Sequence, residues 1–310
     1  MDITLTQNLK TLQTYSQELK NYQTNNMAAI KKLALTINAF DASELLESLI
    51  SQVRDQVDYV AAFWQKTSYW GNRQDPADYE ELQRLVKIGL IDELIEFKTD
   101  LAVYARQQET DKRNMGINMM KQKGFSHVLN IDADELYDPE QFRYAKSEIN
   151  KHGWPITYWS YVNYYRDMEH YLVYPFRPFV NGIHSTYFNY TFNGPAPGPT
   201  DPTRRINNPM NIGTHLFADG DIRMQHLAWI RKDIRKKLEN WSAKDHFTPE
   251  LIEKAVQQYE NWKEGDPAIM LFNVPDNKVI VNKLDKRITS IQIPWVEDRM
   301  NAWKSQHGYV

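Results

Sequence analysis

Between residues 30 and 132, apolar runs of strand length alternate with stretches of helical spacing, and that alternation leaves few folds open to the chain. KLALTINAF (32–40), VDYVAAFWQ (57–65), IDELIEFK (91–98) and SHVLNID (126–132) read as strands. Between them, ASELLESLISQV (42–53), DPADYEELQRLVKIG (75–89) and QETDKRNMGINMMKQKG (108–124) read as helices. Asp75 is placed to cap the second helix with Pro76 in its first turn, and Gly124 closes the third. Parallel neighbours need crossover connections, so the expectation is an α/β fold with a mostly parallel, Rossmann-like sheet flanked by helices. Open sheets of this kind bind ligands outside the carboxyl ends of their strands. Four polar strand exits should therefore gather along one edge: Asn38-Ala39-Phe40, Gln65-Lys66, Thr99-Asp100 and Asp132-Ala133-Asp134.

The last exit, in GFSHVLNIDADELYDPEQF (124–142), delivers Asp132, Asp134 and Glu135 within four residues, and carboxylates so crowded require positive charge between them. A solvated acidic turn is the plain reading. Directly after an apolar strand, however, oxygen ligands at this spacing also suit Mg²⁺ or Mn²⁺ bridging phosphate oxygens. A calcium loop of the EF-hand type fits badly, because Leu136 falls where an oxygen is due and the central glycine is missing. An aspartyl-phosphate phosphatase with a DxD strand end is a stronger rival, although Leu136 stands where that family carries Thr or Val.

Composition excludes several classes. With 310 residues, 42% hydrophobic and 25% charged, the chain can bury a substantial core and is not a disordered sequence. A net charge of -3 offers no bulk attraction to nucleic acid or an anionic membrane. The absence of cysteine removes disulfides, thiolate metal sites and cysteine nucleophiles. MDITLTQNLK has no basic segment leading into an apolar one, and no run approaches the roughly 20 apolar residues of a membrane span, so a cytoplasmic protein is expected.

The order helix, glycine, strand, DxD in RNMGINMMKQKGFSHVLNIDADELY (113–137) carries a family likeness. Together with the strand and helix of LALTINAFDASELLESLISQV and the later MQHLAWIRKDIRKKLENWSAKD (224–245), it resembles the GT-A glycosyltransferases, in particular family-2-like members, over roughly residues 30–245. The resemblance implies a nucleotide-sugar donor whose diphosphate is held by Mn²⁺ or Mg²⁺. It implies Asp134 as a metal ligand, Asp132 at the ribose or assisting the metal, and His226 as the distant further ligand. It places Asn38, Phe40 and Gln65 at the base, and Arg113 and Asn114 beside the donor sugar and phosphates. His226 alone, in an apolar strand, reads equally as a hydrogen-bonded core residue. The implied organisation is an N-terminal amphipathic helix (1–26), a GT-A catalytic domain (27–232) and a mainly helical C-terminal extension (233–310).

Around this frame the expectations are looser. Leu5, Leu9, Leu12, Leu19 and Tyr22 give the first helix an apolar stripe that packs on the body or forms a homodimer contact. Residues 154–192 are aromatic-rich and should form a hairpin turning near RDMEH, with Trp159, Tyr161 and Tyr164 the rings expected to face an acceptor. The loop 192–215 reads either as a lid that brings Arg204 and Arg205 to phosphate or acceptor or as a solvated excursion. The basic residues after 232 read as solvated surface, with Lys236 and Lys237 the two that could instead reach phosphate. Asp167, Glu169, Asp201, Asp219, Asp221 and Asp245 are formally available as an acceptor base, with Asp167 or Glu169 preferred. The acceptor stays open, a saccharide or a hydroxylated nucleobase in DNA among the choices. The alternatives to a transferase are a nucleotide- or carbohydrate-binding module without turnover and a DxD phosphate-processing enzyme.

Overall fold

β1 (Leu33–Ala39) is the centre from which the rest is laid out, because both of its faces are buried. Leu33, Leu35 and Ile37 face one helical layer, and Ala34 joins the cluster on the other side. In the computed structural model, which describes residues 29–172, 177–178, 180–182, 186–189, 201–206, 213–217, 222–269, 278–284 and 291–307, β1 pairs in parallel with β2 (Tyr59–Trp64) and with β4 (His127–Asp132). β3 (Glu93–Glu96) adds to β2, so the parallel run has the order β3-β2-β1-β4. The first expected helix (1–26) lies outside the described residues.

Three helices cover this sheet. α1 (Ser43–Val53) buries Leu45, Leu46, Leu49, Ile50 and Val53, the spacing of one helical face. α2 (Pro76–Lys87) starts as expected, with the Asp75 side chain accepting from Ala77 N at 3.0 Å. α3 (Ala105–Gln122), which starts three residues before the expected helix, lies on the opposite face among Ala34, Ala61, Phe63 and Val128. Gly116 allows this close approach: a Cβ there would stand 3.0 Å from Phe63 Cε2.

After Asp132 the chain departs from the simple expectation of an acidic turn. β5 (Glu135–Tyr137) is a short strand, followed by α4 (Pro139–His152), whose cap Asp138 accepts from Glu140 N and Gln141 N. The expected hairpin forms from β6 (Ile156–Tyr165) and β7 (His170–Leu172), turning through Arg166 at a φ of 68°. β8 (Arg177–Pro178), β9 (Val180–Gly182) and β10 (Thr214–Leu216) pair with β6, β4 and β6 respectively. β11 (Arg223–Trp229) then runs parallel to β6 and antiparallel to β5, and with β14 (Asn282–Lys283) on β7 the second sheet has the order β14-β7-β6-β11-β5. The fold is thus mixed α/β, two sheets flanked by helices.

The C-terminal part comprises α5 (Ile234–Asn240), α6 (Pro249–Asn261), the short strands β12 (Ala268–Ile269), β13 (Lys278–Val279) and β14 (Asn282–Lys283), and α7 (Pro294–His307). Ile234, Leu238, Val256 and Trp262 form one apolar cluster with Tyr165, Leu172 and Trp229 of the second sheet. Ile291, Ile293 and Val296 join the main core instead. α5 thereby lies next to the acidic exit of β4.

Candidate active site

The register of the parallel strands sets the edge. Asn38 is level with Phe63 on one side and Asp132 on the other, so the exits of β1, β2 and β4 are neighbours. Beyond β4, backbone pairing of β5 with β11 puts His226 level with Glu135, and Leu227 N donates to Asp134 O at 2.8 Å. Main-chain hydrogen bonds therefore carry His226 to the acidic exit. Its Nε2 stands 3.6 Å from Asp134 Oδ1, and ligand atoms of Asp134, Glu135 and His226 lie within 4.8 Å of one another.

The crowded carboxylates are held apart by protein cations. Arg204 is fully buried and donates to both Glu135 oxygens at 2.8 Å, while also reaching Asp132. Arg113, equally buried, donates to Asp132 at 3.1 Å, Glu109 at 2.6 Å and Asn130 at 3.0 Å. Asp134 is served from the other side: its Oδ2 accepts from Arg231 and, at 3.2 Å, from Lys237 Nζ. Burial alone would push the Asp134 carboxyl up, but Lys237, Arg231 and His226 outweigh it and hold it well below the usual carboxylate range. Asp132 shows the same balance, burial against Arg113 and Arg204, and is also lowered.

Two oxygens of one carboxylate thus have different fates. Asp134 Oδ2 carries two cations, whereas the buried Oδ1 has no hydrogen-bond partner and faces the imidazole. An orphaned carboxylate oxygen beside a histidine nitrogen is a donor set that fits Mn²⁺ or Mg²⁺, the histidine favouring the softer ion. Glu135 belongs to the same group of ligand atoms, but its oxygens already bind Arg204.

Further along the edge, both amide atoms of Asn38 are buried without hydrogen-bond partners, and Phe40 is half-buried just after it. Gln65 donates to Thr67 O at 3.0 Å and accepts from Lys112 Nζ at 3.1 Å. Burial lowers the Lys112 ammonium to about 7, with Glu109 resisting the shift. Lys236 pairs with Asp41 at 3.1 Å and Asp78 at 2.9 Å, and Trp70 Nε1 donates to Trp241 O at 2.7 Å. α5 and the segment after it are in this way tied to the exits of β1 and β2. The expectation of solvated lysines on α5 is corrected at Lys236 and Lys237, which instead serve acidic side chains of the edge.

Other expected residues fall elsewhere. Asn114 is spent on backbone, donating to Phe188 O at 2.8 Å and accepting from Phe188 N at 2.9 Å. Trp159 and Tyr164 are core residues, the first stacked on Tyr137 at 4.4 Å and the second donating to Gln225 at 2.6 Å. A two-residue strand period explains part of this, since Tyr164 differs in parity from Trp159 and Tyr161. Tyr161 is the expected ring that reaches the pair, edge-on to His226 at 5.4 Å. Asp167 accepts from His170 N at 2.9 Å and lies 3.0 Å from His170 Nδ1, and Glu169 pairs with Lys304 at 2.8 Å. Neither makes a hydrogen bond or ion pair with Asp132, Asp134 or His226. Asp219 and Asp221 lie outside the described residues.

Neither Arg231 nor the Arg204–Glu135 pair is expected here from the sequence, and Lys237 is expected at solvent or phosphate rather than on a carboxylate. For Arg231 and Lys237 the available signal was the run WIRKDIRKK (229–237), which starts at the last residue of the His226 strand, Trp229, and carries Arg231 just past that strand end and Lys237 within α5.

No protein-family model matches the chain, and no curated protein matches it. Among solved structures it is similar to GT-A glycosyltransferases. S. aureus TarS 1–349 in complex with UDP-GlcNAc is 13% identical with a TM-score of 0.32, the match covering 42% of this chain and 34% of that one. Mannosyltransferase PcManGT from Pyrobaculum calidifontis, in complex with GDP-Man and Mn²⁺, is 12% identical with a TM-score of 0.32, covering 45% and 37%. GalNAc-T7 with UDP, GalNAc and Mn²⁺ is 9% identical with a TM-score of 0.40, covering 76% and 52%. The chain thus spans about a third of the length of the first of these. Likeness at this level leaves donor, acceptor and activity to be argued from the site itself. Among the described residues no helix is long and apolar enough to cross a membrane.

Proposed function

We propose that this chain is a metal-dependent glycosyltransferase that moves a sugar from a nucleotide-sugar donor to a hydroxyl acceptor. One observation carries the reading: Asp134 and His226, from distant parts of the sequence, meet at 3.6 Å where a parallel strand ends, with an orphaned oxygen between them. Sugar transfer builds negative charge on the departing nucleoside diphosphate. A divalent ion on Asp134 and His226 would neutralise that charge as a Lewis acid.

The chain's own residues would supply the rest. Asp132, which pairs with Arg113 and Arg204, would meet the ribose at the β4 exit. Asn38 has an unpaired donor and an unpaired acceptor on one planar group, the chemistry needed to read the edge of a base. Phe40 and Gln65 would line the same position. Tyr161, beside His226, would flank the acceptor side. Asp167 and Glu169 are engaged by His170 and Lys304, so the acceptor base is left out of the assignment.

The test is release of nucleoside diphosphate from a panel including UDP-GlcNAc, UDP-GalNAc and GDP-Man with Mn²⁺, repeated with His226→Gln, which leaves the Arg231 and Lys237 pairs on Asp134 intact. Donor-dependent release that disappears in the variant supports the transferase. Metal-dependent nucleotide binding with no release from any donor, across saccharide acceptors and water, would instead leave a binding module. Phosphate release from simple esters would leave the phosphate-processing enzyme.

A further inference from the structure

Lys237 and Arg231 stand where an added cation would feel them most. A divalent ion held by Asp134 Oδ1 and His226 would share its carboxylate with two positive side chains on Oδ2. Like charges this close, in a mostly buried setting, oppose one another strongly unless an anion enters with the ion. Arg231 is fixed: it is 2% exposed and also donates to Leu227 O at 3.2 Å. Lys237 is different. Its side chain is 26% exposed, Asp134 is its one partner among the described residues, and a flexible four-carbon stem carries its ammonium.

We propose that Lys237 couples the divalent ion to the diphosphate, by standing on Asp134 when the site is free and transferring to a phosphate oxygen when ion and diphosphate bind together. The inference rests on reading Asp134 and His226 as ion ligands, and adds to it an order of events. The ion alone meets two resident cations and binds weakly. The ion with a diphosphate brings its own negative charge, releases Lys237 from the carboxylate and gives it a better partner. Binding of each is thereby strengthened by the other, a coupling of the usual 5- to 150-fold size. The same contact weakens the hold on the ion in the absence of donor.

Calorimetry on the full chain tests this with two probes, Mn²⁺ alone and the preformed Mn²⁺–pyrophosphate complex. In Lys237→Met, Mn²⁺ alone should bind about tenfold tighter than in the parent, and the complex about tenfold weaker, within the coupling range above. Lys237→Arg keeps the charge and should keep the parent pattern. A lysine that only stabilises the fold would shift both affinities in one direction, and that result, or no shift in either, overturns the proposal. His226→Gln separates the two levels of inference. Mn²⁺ binding that is unchanged by this substitution overturns the ion site itself, and the coupling with it. Loss of Mn²⁺ binding in His226→Gln, together with same-direction shifts in Lys237→Met, keeps the ion site and removes the coupling.

Discussion

Arg204 grips Glu135 with two hydrogen bonds of 2.8 Å, one from each terminal nitrogen of its guanidinium, and both side chains are almost wholly shielded from water. This is the bidentate geometry in which an arginine cannot be replaced by a lysine. Arg204 also reaches Asp132, so the residue expected to meet phosphate is instead a strut beneath the acidic exit. Removing it leaves a buried carboxylate without its cation. Arg204→Met is expected to cost about 3–5 kcal/mol, as for other broken buried pairs, and Arg204→Lys to recover only part of it. Urea unfolding checks this, and a loss below about 1 kcal/mol in Arg204→Met would show the strut to be dispensable.

Lys112 gives a pH dependence whose sign is fixed. Burial lowers its folded-state value to about 7 from the ordinary 10.5, so between those limits the unfolded chain holds a proton that the folded chain has released. Stability then rises with pH across that window, and below about 7 the full cost of burying the charge is present. Lys112→Met removes the cost but strands the Gln65 oxygen that accepts from Nζ. The variant should therefore gain on the parent at pH 6 and lose that advantage by pH 9.5, a difference on the order of a few kcal/mol. Denaturant midpoints at the two pH values measure it; an advantage independent of pH would show that Lys112 titrates as an exposed lysine does.

The parallel half of the fold was legible because strands buried on both faces read as apolar runs, and because the helices between them carry their own punctuation, Asp75 with Pro76 at one start and Gly124 at one end. That Asp134 and His226 lie together follows from a family pattern, not from spacing. The charge pairing was hidden for a physical reason. β5 is three residues long, too short for any period to appear, yet its register with β11 decides that His226, and not a neighbour, sits beside Asp134. Lys237 looked like solvated surface because a basic helix face gives no sign of the carboxylate it will be folded against. Trp159 and Tyr164 were misleading in the opposite sense, since aromatic enrichment marks strands and core as readily as ligand platforms.

Gly116 tests the packing of α3 on the sheet. Gly-to-larger changes in a helix gain up to about 1 kcal/mol from propensity alone. Here a bare Cβ would stand 3.0 Å from one Phe63 atom and 3.3 Å from another, and a longer side chain has no room. Gly116→Leu is expected to be destabilising by about 1–3 kcal/mol despite the better helix former. Thermal unfolding reads the outcome directly, and an unchanged or raised midpoint would mean that α3 does not lie this close to β2.

His226 provides the cleanest separation of folding from binding at the site. Asp134→Ala abolishes a ligand but also leaves Arg231, 2% exposed, without its carboxylate, so loss of function in that variant is ambiguous. His226→Gln removes the imidazole and leaves both pairs on Asp134 Oδ2 intact. No hydrogen bond of the His226 ring is lost, because its Nδ1 is unpartnered and its Nε2 stands 3.6 Å from Asp134 Oδ1. Unfolding free energy should consequently stay within about 1 kcal/mol of the parent. Mn²⁺ affinity should fall 10- to 100-fold, or about 1.4–2.8 kcal/mol at 1.4 kcal/mol per decade. A variant equally stable and equally able to hold Mn²⁺ would return His226 to the ordinary role of a core histidine, and with it remove the reason to place an ion at the end of β4.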